Sequence, residues 1–169
     1  MRYRDQPTVE VSERVSCTAA QAWALVTDIT LPSRVSEELE SAAWLDGADR
    51  VAVGARFRGT NQHSAMGTWC TECEVIEVEP ERRWVWQVHG PAGVSATWGF
   101  EVDPARSGVI VRQWGRLGPG PSGLSHAIST MPDKESRIIA NRLAEWERNM
   151  RANLAAIKAT FEPPRENRS

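Results

Sequence analysis

Residues 133–161 read DKESRIIANRLAEWERNMRANLAAIKATF, and this stretch decides the fold. Its large apolar residues fall at Ile139, Leu143, Trp146, Met150, Leu154, Ile157 and Phe161, in steps of four, three, four, four, three and four. That is the period of an α-helix with one apolar stripe. Arg137, Glu145, Arg148, Arg151 and Lys158 lie off the line and predict a wet opposite side. Pro132 suits a first turn, Asp133 and Glu135 place negative charge at the positive end of the helix dipole, and Pro163 and Pro164 stop the run. At about 1.5 Å per residue the helix is roughly 43 Å long. So long an apolar stripe is not stable alone in water. The rest of the chain must cover it.

Outward from the helix the pattern changes. Residues 118–123, Gly-Pro-Gly-Pro-Ser-Gly, form a linker poor in side chains, and Leu124 to Thr130 reads as a short turn of helix. Upstream come six candidate strands: Leu39 to Leu45, Ala55 to Asn61, Thr68 to Val78, Arg83 to His89, Ala96 to Val102 and Val109 to Leu117. Turn residues separate them: Asp46-Gly47, Ala65-Met66-Gly67, Pro80-Glu81, Gly90-Pro91 and 103–108. Connections this short join antiparallel neighbours. Before them, Thr8 to Ser16 alternates as a first strand, with Glu13 breaking the register as at a bulge. Thr18 and Gln21 make a capping box for a helix from about Ala19 to Asp28 that buries Trp23 and Val26; Pro32 opens a second helical piece, about Ser33 to Glu38. The expected architecture is α+β: a curved sheet of seven antiparallel strands around one long C-terminal helix, with two short helices after strand 1. One domain over 1–169 is expected, with the helix at about 133–161 and a tail at 162–169.

Composition bounds the function. The chain has 169 residues, 41% hydrophobic and 25% charged, with a formal charge of −2. Such a balance gives no reason to expect nucleic acid or an anionic membrane as partner. No apolar run is long enough to span a bilayer, the first six residues are polar, and three cysteines are too few for a disulfide framework. A cytoplasmic chain is the expectation. Oligomeric state leaves no mark in the sequence.

The order of elements resembles the START-like (SRPBCC, helix-grip) superfamily, and several stretches are similar to its polyketide cyclase/dehydrase branch. They are Val15-Ser16-Cys17-Thr18-Ala19-Ala20-Gln21-Ala22-Trp23 with Thr27-Asp28, and Val53-Gly54-Ala55-Arg56-Phe57. Glu77-Val78-Glu79-Pro80 leading to Arg83-Trp84-Val85-Trp86, and Met131-Pro132-Asp133-Lys134-Glu135, complete the set. The resemblance implies an apolar cavity between sheet and helix that opens near loops. It leaves the function open, since cyclases, aromatases, lipid carriers and co-chaperones share the fold.

The residues allow such a cavity independently. Eight Trp stand against one Tyr and three Phe, and Trp69, Trp84, Trp86, Trp98, Phe100 and Trp114 all sit on candidate strands, as an aromatic wall would require. Strand alternation sorts the polar groups. Phe57, Gly59 and Asn61 share an inward face; so do Trp69, Thr71, Cys73 and Val75, while Val109, Val111 and Gln113 oppose Ile110, Arg112 and Trp114. Expected ligand contacts are therefore Phe57, Asn61, Trp69, Thr71, Trp86, Trp98, Gln113, Trp146 and Met150. No group is a conspicuous acid or base. His63, His89 and His126 lie at strand ends or in loops, where a mouth would be, and His63 is the first choice for proton transfer. Cys70 and Cys73 point to opposite faces of a strand, so no metal is expected. No cofactor is expected either. The 118–123 linker with 124–130 reads as a lid held by few side-chain contacts, with His126 at the mouth.

Three functions fit. The first is binding of a small hydrophobic or aromatic molecule. The second is a polyketide cyclase, aromatase or dehydratase that works by positioning a polyketide-like chain. The third is an interaction module of co-chaperone type. Whether the chain is an enzyme is open at this point.

Overall fold

The computed structural model describes residues 1–163. Strands β1 (Thr8–Val15), β2 (Leu39–Trp44), β3 (Arg56–His63), β4 (Gly67–Glu79), β5 (Arg83–Gly90), β6 (Gly93–Ala105) and β7 (Gly108–Leu117) form one sheet. Its order is β1-β7-β6-β5-β4-β3-β2, and every neighbouring pair is antiparallel. Helices α1 (Ala19–Val26), α2 (Gly123–Thr130) and α3 (Glu135–Phe161) complete the fold. The segment between β1 and β2 thus carries the chain from one sheet edge to the other. This is a helix-grip fold: a curved sheet closing on a long C-terminal helix.

The stripe of α3 is its buried face. Ile139, Trp146, Met150, Leu154 and Ile157 are buried, and Leu143 and Phe161 are partly so. Met150, Leu154, Ile157 and Phe161 pack in one cluster with Val11 and Val15 of β1, Val109 and Val111 of β7 and Ala22 and Val26 of α1, and Ile139, Leu143 and Trp146 pack in a second with Ala96 of β6 and Leu117 of β7. Each large side chain so buried contributes roughly 1.5–3 kcal/mol. Three register shifts, at Leu39/Ser41 in β2, Val75/Glu77 in β4 and Val88/His89 in β5, interrupt the ladders. Such bulges bend strands and increase twist, which is how this sheet curls.

The structure corrects several expectations. Glu13 causes no bulge: β1 pairs with β7 in one continuous register from Thr8 to Val15. Glu13 keeps the face of Val11 and Val15, and its carboxylate accepts from Lys158 Nζ of α3 at 2.9 Å, so a salt bridge satisfies an apparent pattern break. Helix α1 ends at Val26, and it buries Ala22 and Val26 while Trp23 is only partly covered. Its end is marked by Thr27 Oγ1 donating to Trp23 O at 2.6 Å. The second helical piece is a 3-10 turn at Leu31–Arg34, short of Glu38, because Ser36 Oγ takes the backbone N–H groups of Glu38 and Leu39 and starts β2. Strand β6 runs through Pro104, which had read as turn. Pro104 lies beyond the end of β5 and pairs only with Val109 of β7, so its missing N–H leaves no ladder bond unmade. A 3-10 turn at Pro132–Lys134 precedes α3, so the α-helix proper starts at Glu135. Residues 164–169, including Pro164 and most of the expected tail, lie outside the described residues.

Candidate functional site

A cavity of about 810 Å³ lies between the inner face of the sheet and α3. Alternation on β5 and β6 turns Trp84, Trp86, Trp98 and Phe100 toward it, and they form a ladder of rings. Trp84 and Trp86 stack at 4.3 Å between centroids and 25° between planes. Trp86 continues to Trp98 at 6.4 Å and 12°, and Phe100 flanks Trp84 at 6.2 Å and 22°. Trp98 then meets Trp146 of α3 at 4.2 Å, joining sheet and helix. Gly115 makes that junction possible: a Cβ there would sit 2.7 Å from the Trp98 ring and 3.0 Å from Trp146. Trp84 donates its indole N–H to Val26 O at 3.0 Å, anchoring α1. Among the described residues the indole N–H groups of Trp86, Trp98 and Trp146 have no protein acceptor.

Two neutral polar pairs interrupt the apolar lining. On β3 and β4, Asn61 Nδ2 donates to Thr71 Oγ1 at 3.3 Å, beside Gly59. On β7 and α3, Asn153 Nδ2 donates to Gln113 Oε1 at 3.0 Å, while Asn153 Oδ1 accepts from no group among the described residues. Both amides of this second pair are buried. Charged side chains reach the lining at Asp28, Glu38 and Arg142. Arg142 of α3 lines the cavity and lies over the Trp146 ring at 5.8 Å, clasped by Glu38 and Glu145 at 2.8 and 2.9 Å. Burial works against the Arg142 charge, and the two carboxylates outweigh it and hold the guanidinium more firmly protonated. Burial likewise pushes the Glu145 carboxyl up, but Arg142 and His63 outweigh it and hold it below the usual range. Burial raises the Cys73 thiol to about 12, so Cys73 lines the cavity as a thiol and not a thiolate at neutral pH.

All nine residues expected to meet a ligand, Phe57, Asn61, Trp69, Thr71, Trp86, Trp98, Gln113, Trp146 and Met150, line this one cavity. Trp114 does not belong to the wall. It packs on the other face of the sheet, over Gly99 and between Arg83 and Arg116. His63 is not in the cavity lining either. Its Nδ1 accepts from Ala65 N at 3.0 Å, so Nε2 carries the proton and meets Glu145 Oε1 at 3.2 Å, in a separate depression with Gln62, Arg148 and Asn149. His126 of α2 and His89 do line the cavity, with Met66, Pro121 and Leu124 nearby. The 118–123 linker is better held than expected. Gly118 and Gly120 donate to Ser95 O and Val94 O at 2.8 and 2.7 Å, and Tyr3 Oη donates to Gly120 O at 2.8 Å. Among the described residues no three His, Cys, Asp or Glu are grouped to hold a metal, and no helix is long and apolar enough to cross a membrane.

Sequence reasoning missed Arg142 and Asn153. A signal existed: Arg142 is four residues before Trp146 and Asn153 three after Met150, so both stand on the buried line of α3. Read as polar residues on an apolar stripe, they would have been picked out.

Residues 6–162 match the family described as polyketide cyclase / dehydrase and lipid transport. The chain belongs to that family. It is similar to the Polyketide_cyc-like protein Cgl2372 of Corynebacterium glutamicum, whose solution structure aligns at 28% identity and a TM-score of 0.62 over 89% of this chain and 88% of that one. Two di-domain ARO/CYC proteins, BexL of the BE-7585A pathway and StfQ of the steffimycin pathway, align with TM-scores of 0.70 at 13% and 14% identity. They share the fold, and the chain spans about half of each, 50% and 52%, while 94% of it is covered. No curated protein matches the sequence.

Proposed function

We propose that this member of the polyketide cyclase / dehydrase and lipid transport family holds a flat, largely apolar molecule of aromatic or polyketide-like character between sheet and α3. The observation that carries the reading is the ladder Trp84–Trp86–Trp98 running to Trp146 along one cavity wall. Stacked indoles offer broad faces for an aromatic guest, and aromatic pairs add about 0.5–1.5 kcal/mol each beyond the area they bury. The volume of about 810 Å³ falls in the range of small-molecule pockets. Asn61 with Thr71, and Gln113 with Asn153, supply the few polar groups that orient a guest without charging the site. Native mass spectrometry of gently purified protein, with quenching of tryptophan emission by an added polycyclic arene, tests it. Saturable quenching that weakens in Trp98→Leu is the expected result; quenching that rises linearly with arene and ignores Trp98→Leu removes the reading.

A second reading shares the same pocket. The two polar pairs lie on different walls, one on β3–β4 and one between β7 and α3, so a flexible poly-carbonyl chain held at both would be folded on itself. Positioning of that kind lowers the barrier to aldol closure without a dedicated triad. Under this reading Asn61→Ala and Gln113→Ala change the ratio of cyclised products from a poly-β-carbonyl probe, and His63→Ala does not. A product ratio equal to that in buffer, for wild type, rejects it.

A further inference from the structure

The two amides where β7 faces α3 select a ligand group by simple counting. Asn153 and Gln113 are each 4% exposed, and both line the cavity. Asn153 Nδ2 gives one hydrogen to Gln113 Oε1. Among the described residues Asn153 Oδ1 is then a fully buried acceptor with no protein donor, and the bond between the two amides is the one side-chain hydrogen bond that either makes. A primary amide brings two N–H hydrogens and an acceptor oxygen, so one bond between two amides leaves the donating amide's oxygen unused and N–H hydrogens free on both. Exchanging O and N in both side chains reverses which residue supplies which. The remainder stays the same: one wholly unused oxygen in the pair, with unpaired N–H hydrogens on both amides.

We propose that this amide pair is a hydroxyl-recognition subsite, and that the ligand end lodged between β7 and α3 is a neutral phenolic or enolic OH. A hydroxyl donates to the free acceptor and accepts from the free N–H. A ketone, an ether or a carboxylate only accepts, and leaves the buried acceptor as unsatisfied as before, which is how a polar site rejects a near-isostere. The neighbours argue for neutrality: Val111, Met150 and Leu154, buried on either side of the pair, offer nothing to a charge. Met150 also lines the cavity one helical turn before Asn153. The proposal rests on the cavity-binding reading above and adds the class of ligand, a hydroxyarene or its enol equivalent.

Titration calorimetry at neutral pH with 2-naphthol and its methyl ether, 2-methoxynaphthalene, tests it. The ether is the more apolar, so partitioning alone favours it. For wild type we expect 2-naphthol to bind about tenfold tighter. In Asn153→Leu the preference disappears while the ether still binds; Gln113→Met reads the same ratio should the first variant fail its thermal melt. Equal affinities of both probes for wild type overturn the hydroxyl subsite and leave the cavity reading standing. A preference that persists in both variants also overturns it, since the selectivity then comes from elsewhere. Failure of both probes to bind saturably overturns the cavity reading, and the subsite with it.

Discussion

Trp98 and Trp114 sit on neighbouring strands, each paired directly with a glycine, and they end on opposite sides of the sheet. In the β6–β7 register Trp98 faces Gly115 and Trp114 faces Gly99. Trp98 lies over Gly115 on the inner face, meets Trp146 at 4.2 Å and lines the cavity. Trp114 lies over Gly99 on the outer face, with Arg83 at 5.4 Å and Arg116 at 5.8 Å from its ring. Around it run the ion pairs of Arg83 with Glu77 and Glu101 and of Arg112 with Asp103. Residue type and cross-strand partner are the same in both cases. Parity along the strand makes one a cavity wall and the other a buried ring capped by cations on the outer face.

The contrast between inner and outer faces can be broken most severely at α3. Leu154 is buried against the core and Arg148 is exposed. Leu154→Asp places an unpaired carboxylate in the core and should cost more than about 4 kcal/mol, enough to leave little folded protein. Arg148→Ala should stay within about 0.5 kcal/mol. Thermal melts followed by circular dichroism decide, and equal midpoints would mean that α3 is turned the wrong way.

The two glycines sharpen it. A Cβ at Gly115 meets Trp98 and Trp146 at 2.7 and 3.0 Å, both hemmed in between sheet and helix; a Cβ at Gly99 meets the Trp114 indole at 2.5 Å. Trp114, though buried, is covered on the outer face by two arginine side chains that can yield, whereas the inner pair has nowhere to go but the cavity. Gly115→Ala should therefore cost about 3 kcal/mol, the upper end of overpacking, and weaken arene binding. Gly99→Ala should cost about 1 kcal/mol and leave binding unchanged. Denaturant midpoints and quenching titrations on the two variants read this, and the reverse order of effects would reject the facial assignment.

The smallest effect is chemical. Cys70 is exposed and Cys73 is buried, three residues apart on β4. Burial raises the Cys73 thiol to about 12, so at pH 9 it remains protonated in the folded chain while an unfolded thiol is largely ionised. The sign follows from linkage: the folded state holds the proton longer, so stability falls as pH climbs from about 8.5 toward the raised value. Iodoacetamide at pH 9 should label Cys70 and spare Cys73, as mass spectrometry of tryptic peptides would show. Equal labelling in native protein would place Cys73 outside the core.

The sequence alone determined the frame. A 3.6-residue stripe over seven apolar positions dictates a buried face of α3, and alternation dictates which side chains share a strand face, because both periods are properties of the backbone. Together with the cavity that the resemblance implies, they lead to the expectation that Phe57, Asn61, Trp69, Thr71, Trp86, Trp98, Gln113, Trp146 and Met150 come to one cavity. What tertiary structure decided is which element lies opposite each face, since that depends on sheet order and not on local pattern. It set β7 beside β1 and under α3, and so joined Gln113 to Asn153 and Glu13 to Lys158 across 40 and 145 residues of chain. It brought Arg83 and Arg116 to Trp114, which parity had turned outward, and sent His63 to a separate depression. It also tied 118–120 to β6 through backbone groups that carry no sequence signature, because every residue but proline has the same N–H and C=O to offer.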